Sequence, residues 1–262
     1  MSLRNRHDPV HNYNTLYNNK QICLWLDLST HCNATCPQCH RTDANGLGKI
    51  GWLPVVQWSF EEFKHAFPIE TMAHIHRFDM CGTWGDPMMN KDIGKIIEYI
   101  IKNSNCWMVI NTNGSIRNEE WWWDLGLLTG KRLTVVWAID GITQEQHAKY
   151  RQQTDLNKIL MNMESFSAAG GKSEVFTVVF KHNEKDIHNI AKMAKQKGAN
   201  VIFIVKSNRF YSNSTFKYIN QSGEEESLLR STLPNTEDFY WKSIYLSNEN
   251  IKRIEDESFK AE

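Results

Sequence analysis

The chain has 262 residues, of which 41% are hydrophobic, so its apolar side chains suffice for one large core or two small ones. Thirty basic and thirty acidic residues give a net charge of +0, without the basic patch that nucleic-acid binding normally requires. No apolar run reaches membrane-spanning length, and residues 1–20 lack the apolar segment of a signal peptide. We therefore expect a cytoplasmic protein with no membrane partner and no evident nucleic-acid partner.

Six apolar segments predict β-strands, and they alternate with helical patterns. The predicted strands are residues 21–29, 75–80, 107–110, 133–139, 175–180 and 201–205. The predicted helices are residues 59–67, 93–101, 118–128, 144–169 with a break near Gln153, and 186–197. This alternation predicts an α/β protein with a parallel sheet covered by helices, although periodicity alone does not separate an open sheet from a barrel.

The spacing of apolar residues predicts which face of each helix packs on the sheet. The expected inward residues are Ile93, Ile96, Ile97, Ile100 and Ile101 in the second helix, Trp121, Leu125 and Leu128 in the third, and Ile187, Ile190, Ala191 and Ala194 in the last.

The alternating pattern covers only the middle of the chain. We expect residues 1–20 to form an N-terminal arm, residues 21–206 a single-domain core, and residues 207–262 a short, polar C-terminal extension. Within that extension, the acidic run 224–226 is typical of a solvated face. Residues 235–246 are expected to form a short element that closes one end of a barrel.

Three of the six cysteines follow the first predicted strand with the spacing C-x3-C-x2-C, namely Cys32, Cys36 and Cys39. Thiolates grouped this closely suit a soft metal or an iron–sulfur cluster. A [4Fe–4S] cluster bound only by protein takes four thiolates, so three would leave one iron open. A zinc site that adds Cys81 is the alternative, whereas a long chain with few cysteines and no export signal disfavours a disulfide framework.

This spacing after an apolar strand resembles the signature of the radical S-adenosylmethionine (SAM) enzymes, and the order of motifs from Ile22 to about Lys206 resembles the family core throughout. The resemblance implies a partial (β/α)6 barrel of the TIM type. It also implies that SAM chelates the open iron, and that the cluster donates an electron that cleaves SAM to methionine and a 5′-deoxyadenosyl radical.

Further motifs follow the predicted strand ends. The stretch 81–87 resembles the Gly-Gly-Glu-Pro motif that binds the SAM ammonium, residues 112–114 resemble the Thr-Asn-Gly that faces the SAM cavity, and residues 138–141 resemble a Ser-Ile-Asp-Gly motif. Tyr150-Arg151 resembles the helix start whose Arg pairs with the SAM carboxylate. The resemblance therefore predicts these SAM-contacting residues: Gln38, Gly82, Gly85, Asp86, Pro87, Thr112, Asn113, Ala138, Asp140 and Arg151.

Two of these residues depart from the family pattern. Ala138 stands where the family usually has a serine whose hydroxyl meets SAM. Gln38 stands where an aromatic residue usually packs near the adenine, so the packing there must differ.

Three tryptophans are expected to line the walls of the cavity: Trp52, Trp58 and Trp84.

The motifs are most similar to the SPASM/MoaA-like branch of the family, which implies a peptide or small-metabolite substrate and an electron donor such as flavodoxin or ferredoxin. Relatives in this branch carry C-terminal cysteines for auxiliary clusters, but no cysteine follows Cys106 here. We therefore expect one cluster per chain, with Cys23, Cys81 and Cys106 in packing roles. A zinc-stabilised binding module without catalysis and an inactive SAM-binding relative are the alternatives.

Overall fold

The computed structural model describes residues 22–233 and 242–258, so the expected N-terminal arm lies outside the described residues. The strands are β1 (Ile22–Leu26), β2 (Ile75–Met80), β3 (Trp107–Thr112), β4 (Leu133–Ala138), β5 (Lys172–Val179), β6 (Ala199–Lys206), β7 (Thr215–Ile219), β8 (Glu225–Leu229) and β9 (Lys242–Tyr245). The helices are α1 (Phe60–Ala66), α2 (Ile69–Met72), α3 (Ile93–Asn103), α4 (Glu119–Thr129), α5 (Gln144–Ala148), α6 (Leu156–Ala168), α7 (Ile187–Gln196) and α8 (Asn248–Ser258). Short 3-10 helices occupy Pro87–Met89, Gly130–Arg132 and Glu184–Asp186.

The main sheet has seven strands in the order β1-β2-β3-β4-β5-β6-β9. The first six are parallel and β9 runs antiparallel to β6. All six predicted strands are present, and in the described part of the chain the sheet does not close into a barrel. The predicted α/β partial barrel is therefore confirmed. Residues 242–245, expected in an element closing one end, instead form an edge strand, and residues 235–241 lie outside the described part.

Local sequence signals account for several element ends. Ser59 and Glu62 form a capping box at the start of α1, where the Glu62 carboxylate accepts from the Ser59 main-chain N–H at 2.7 Å. The predicted break near Gln153 separates α5 from α6, and Gln153 has a φ of 63° in the left-handed region. Among the described residues, no helix combines the length and apolar character needed to cross a membrane.

One face of the sheet is buried beneath the helices. Alternate residues of β4, namely Leu133, Val135 and Trp137, are fully buried in this core, as period-two alternation requires. The isoleucine stripe of α3 and the predicted inward residues of α7 join the same cluster. Deep burial on both strands and helices makes this face the main apolar core of the fold.

The buried face of helix α4 differs from the predicted one in part. Leu125 is buried and Trp121 packs against the core as predicted, but Leu128 is 39% exposed, and the other buried residues are Trp122, Gly126 and Thr129. The reason is a close helix contact: a Cβ on Gly126 would lie 2.7 Å from the Phe166 carbonyl oxygen of α6. This contact turns the Gly126 face of α4 towards α6. Because it depends on a residue of another helix, the spacing of apolar residues within α4 could not predict it.

We predict that Trp122→Ala lowers the free energy of unfolding by about 3–5 kcal/mol, because its ring packs 4.6 Å from Trp137. The neighbouring Trp123 is 43% exposed, so Trp123→Ala should change the free energy of unfolding by less than about 0.5 kcal/mol. Denaturant unfolding of both variants measures the difference. Equal effects of the two substitutions would contradict this packing.

Candidate functional site

The three motif cysteines lie on the loop after β1, at the carboxyl edge of the parallel strands. The Cys39 main-chain N–H donates to the Cys36 carbonyl at 2.9 Å, which makes a tight turn between these two residues. All three cysteines are free thiols. Cys36 is buried in a second apolar cluster, and Cys32 and Cys39 pack against that cluster. The sheet edge therefore holds the three thiols in one apolar environment.

The surroundings of these thiols test whether they suit an iron–sulfur cluster. Burial raises the pKa of Cys32 to about 12 and the pKa of Cys36 to about 11. At neutral pH both thiols stay protonated unless a cation offsets the lost solvation of the thiolate, and iron supplies that charge. The donor set and its environment therefore fit an iron–sulfur cluster.

The zinc alternative requires several ligands that converge on one ion. Among the described residues, no three His, Cys, Asp or Glu side chains are placed to hold a single metal ion. A cubane cluster instead takes each thiolate on a different iron, so its ligands surround a volume. Cys81, the fourth zinc ligand of that alternative, accepts from the Thr83 hydroxyl at 3.8 Å. The arrangement of side chains thus disfavours zinc.

The loop after β2 packs main chain against main chain on the cysteine loop. A Cβ on Gly85 would lie 2.2 Å from the Ser29 carbonyl oxygen, and a Cβ on Gly82 would lie 2.4 Å from the Gly85 carbonyl oxygen. The Asp86 N–H donates to the His31 carbonyl at 2.7 Å. Only glycine permits this approach, so the two glycines of the motif have a steric reason to be there.

Asp86 joins the ends of β2 and β3. Its side chain is buried and accepts from the Met88 N–H at 2.9 Å. This hydrogen bond caps the start of the 3-10 helix Pro87–Met89. The Asp86 carboxylate also accepts from the Thr112 hydroxyl at 2.9 Å and from both nitrogens of Asn113 at 2.8 Å. The structure therefore brings three predicted site residues together, with Asp86 as the common acceptor for Thr112 and Asn113.

Asp140 and Arg151 form a second buried group beside the cysteines. The Asp140 carboxylate accepts from Arg151 Nε at 2.5 Å and from the Val178 N–H at 2.6 Å. Arg151 Nη1 also lies 3.8 Å from Cys36 Sγ. Ala138, the last residue of β4, is buried and pairs with Phe176 of β5. The guanidinium thus contacts a carboxylate and a motif cysteine at once.

His147 supports this group and is not among the site residues predicted from the sequence. The Asp140 N–H donates to His147 Nδ1 at 3.2 Å, so the proton lies on Nε2, which is 3.0 Å from the Thr154 hydroxyl. Burial and then the charge of Arg151 lower the pKa of His147 to about 3, which keeps the ring neutral. The available signal was a histidine four residues before Arg151 within the predicted helix 144–169. In the structure α5 ends before Arg151, whose N–H donates to the His147 carbonyl at 2.9 Å.

Gln38 is hydrogen-bonded by residues that follow the last predicted strand. Its Oε1 accepts from the Ser207 hydroxyl and its carbonyl accepts from Arg209 Nη1, both at 2.6 Å. Gln38 is 4% exposed, and its Nε2 has no hydrogen-bond partner among the described residues. A buried donor without an acceptor is costly, so this amide indicates a place for a ligand acceptor. No motif in the sequence marks Ser207 or Arg209.

The tryptophans expected to wall the cavity divide into two groups. Trp84 packs edge-on against Trp52 at 5.3 Å, and Trp52 is 68% exposed. Trp58 instead stacks on Phe67 at 6.2 Å and joins the core under α1. The expectation was therefore wrong for Trp58, whose place depends on the α1 contact.

The three remaining cysteines lie on or next to the first three strands: Cys23 is on β1, Cys81 follows β2, and Cys106 is fully buried just before β3.

Lys181, His182 and Asn183 follow β5. Of these three, Asn183 donates to the Asp140 carbonyl at 2.9 Å and so supports the second buried group.

A family model described as the radical SAM superfamily matches residues 26–194, which is more than half of the chain. The chain belongs to the radical SAM superfamily, a superfamily of enzymes. No curated protein matches it.

Solved structures of similar fold include three radical SAM proteins. Streptococcus suis SuiB bound to precursor peptide SuiA has a TM-score of 0.57 and 14% identity, covering 77% of this chain and 46% of SuiB. Native anSMEcpe with bound AdoMet, which is SAM, has a TM-score of 0.53 and 19% identity, covering 69% of this chain and 50% of that one. TYW1 with a lysine-pyruvate adduct has a TM-score of 0.51 and 10% identity, covering 79% of both chains. The TM-scores show a shared fold, and identities this low show nothing beyond the fold. The chain spans less than half of SuiB.

We predict that Asp86→Asn lowers the free energy of unfolding by about 1–3 kcal/mol, because an amide NH2 would then face N–H donors of Asn113. Asp124→Asn is the matched control: Asp124 is exposed on α4, so the change should stay within about 0.5 kcal/mol. Chemical denaturation measures both. An Asp86→Asn variant as stable as the control would show that Asp86 does not hold the two strand ends.

Proposed function

We propose that this protein is a radical SAM enzyme in which Cys32, Cys36 and Cys39 hold a [4Fe–4S] cluster and SAM occupies the open iron. When bound, the cluster and SAM supply a 5′-deoxyadenosyl radical that abstracts a hydrogen atom from a substrate. The observation that supports this proposal best is the position of the three thiols. They lie in one apolar environment at the carboxyl edge of a parallel sheet, beside the glycine loop after β2.

The residues around the thiols offer partners for each part of SAM. The close-packed loop from Gly82 to Pro87 would direct main-chain carbonyls at the ammonium. The carboxylate would be met by Arg151, whose five N–H groups exceed those used by Asp140 and Cys36. The unpaired Nε2 of Gln38 would donate to an acceptor of the nucleoside.

The remaining predicted SAM residues line or support the same edge in this proposal. Thr112 and Asn113 are held by Asp86 next to the cysteine loop, and Asp140 holds Arg151. Ala138 lacks the hydroxyl of the family serine, so it would offer SAM only apolar contact. The protein thereby positions the cofactors and does no covalent chemistry of its own.

The C-terminal segment would exclude water from the thiols. Phe210, Tyr218 and Leu228, from the β7–β8 hairpin and the loop before it, pack in the same apolar cluster as Cys36. A main-chain hydrogen bond joins the hairpin to the segment after the motif cysteines: the Ile219 N–H donates to the Ala44 carbonyl at 2.8 Å. An apolar cover would protect a reactive radical from side reactions with water.

We propose a peptide or a small metabolite as the substrate, because structures of SuiB and anSMEcpe contain bound peptides.

An external one-electron donor such as flavodoxin or ferredoxin would reduce the cluster. Free thiols as metal ligands suit a reduced, cytoplasmic setting. An inactive SAM-binding relative is the second candidate, since a cluster site can persist without SAM cleavage.

We predict that anaerobically reconstituted protein, reduced with dithionite in the presence of SAM, releases 5′-deoxyadenosine. Cys36→Ala should abolish the product because it removes one of the three iron ligands, whereas Cys23→Ala should retain it. Chromatography with mass detection measures the nucleoside. Full activity of Cys36→Ala would refute the cluster assignment, and a loaded cluster with no product would indicate the inactive relative.

We also predict about four irons and four sulfides per chain after reconstitution, because a second cluster needs its own thiolates. A variant with alanine at all three motif cysteines should bind neither element. Colorimetric iron and sulfide assays give the stoichiometry. About eight irons, or a cluster that survives in the triple variant, would contradict a single cluster.

A further inference from the structure

The guanidinium of Arg151 is directed at a motif cysteine as well as at a carboxylate. Its Nη1 lies 3.8 Å from Cys36 Sγ, within the range of an N–H···S hydrogen bond. Its Nε donates to the Asp140 carboxylate at 2.5 Å. Both contacts exist in the protein alone, so the guanidinium faces the sulfur without any help from SAM.

The partners of Arg151 hold it rigidly in this position. Asp140 is fully buried, and the Val178 N–H fixes its second oxygen at 2.6 Å. On the other side, the Arg151 carbonyl accepts from the Thr154 hydroxyl at 2.6 Å, and that hydroxyl contacts His147 at 3.0 Å. The positive charge of Arg151 is therefore pre-positioned beside one iron ligand.

We propose that Arg151 is a positioning residue for the Cys36 thiolate, and that its charge and N–H donor raise the reduction potential of the cluster bound there. Reduction adds one electron from an external donor to the cluster, with no bond made or broken and no proton transferred. A cation and an N–H donor at a ligand sulfur stabilise the added negative charge, so reduction becomes easier. This inference rests on the proposed cluster, and it gives Arg151 a task that does not require SAM.

Asn113 provides a graded comparison. Its Nδ2 lies 3.9 Å from Cys32 Sγ, but the same nitrogen is 2.8 Å from Asp86 Oδ2 and 2.8 Å from Asn33 Oδ1. An amide has two hydrogens, and the two oxygens take them. The amide is also uncharged, so its influence on the Cys32 sulfur should be much weaker than that of Arg151 on Cys36.

The test is an EPR-monitored redox titration of the reconstituted protein with dithionite, in the absence of SAM. For Arg151→Gln we expect the one-electron equilibrium constant for reduction to fall at least tenfold, which equals about 59 mV towards more negative potential. Asn113→Ala should shift the potential in the same direction by less. A parallel measurement of SAM affinity by calorimetry separates this role from binding of the SAM carboxylate.

Arg132→Gln is the matched control for loss of an arginine. The Arg132 guanidinium donates to the Cys106 and Ile101 carbonyls, at the opposite edge of the sheet from the motif cysteines. Its removal should leave the potential of the cluster unchanged. A shift as large as that of Arg151→Gln would show that the potential follows general loosening of the fold, and would overturn the proposal.

Arg151→Gln leaves Asp140 buried without its partner, so the double variant Asp140→Asn/Arg151→Gln keeps the test available if the single variant does not fold. It should also have a lower potential, but with a smaller shift than Arg151→Gln alone, because loss of the negative charge of Asp140 near Cys36 offsets part of the loss of the Arg151 charge, while the N–H donor to the sulfur is still removed. An unchanged potential with weakened SAM binding would overturn the proposal and leave Arg151 as a SAM ligand only. If no cluster assembles in the wild-type protein, both the proposed function and this inference are wrong.

Discussion

Two buried carboxylates, Asp86 and Asp140, hold the carboxyl edge of the sheet in one arrangement. Asp86 joins the loops after β2 and β3, and Asp140 joins the end of β4 to β5 and to Arg151. A buried carboxylate is costly unless its oxygens are hydrogen-bonded, and only Asp140 also has an ion-pair partner, Arg151, so each carboxylate depends on the contacts around it. The cysteine loop lies between the two groups, and its geometry depends on both.

The segment after β6 completes this edge from a distance in sequence. Ser207 and Arg209 bind Gln38, and the β7–β8 hairpin covers the apolar cluster around Cys36. The cysteine loop is therefore fixed from three sides: by the glycine loop, by the two carboxylate groups and by the C-terminal segment. Such support is what a site needs when its ligands must accept a cofactor without rearrangement.

Features with a local cause were predictable from the sequence. Strand–helix alternation predicted the six parallel strands, and the isoleucine stripe predicted the buried face of α3. Features that depend on distant contacts were not predictable. The face of α4 depends on Gly126 meeting Phe166, and the anchoring of Gln38 depends on Ser207, 169 residues away. His147 falls between these cases, because its position in the helix was visible but its partners were not.

The central claim is that three thiolates hold a cluster with one iron open to SAM. The most direct measurement is the EPR spectrum of the reduced, reconstituted protein before and after addition of SAM. A cluster with an open iron should change its g values when the amino and carboxylate groups of SAM bind that iron. A spectrum that is identical with and without saturating SAM would contradict the account, because no iron would then be available to the ligand.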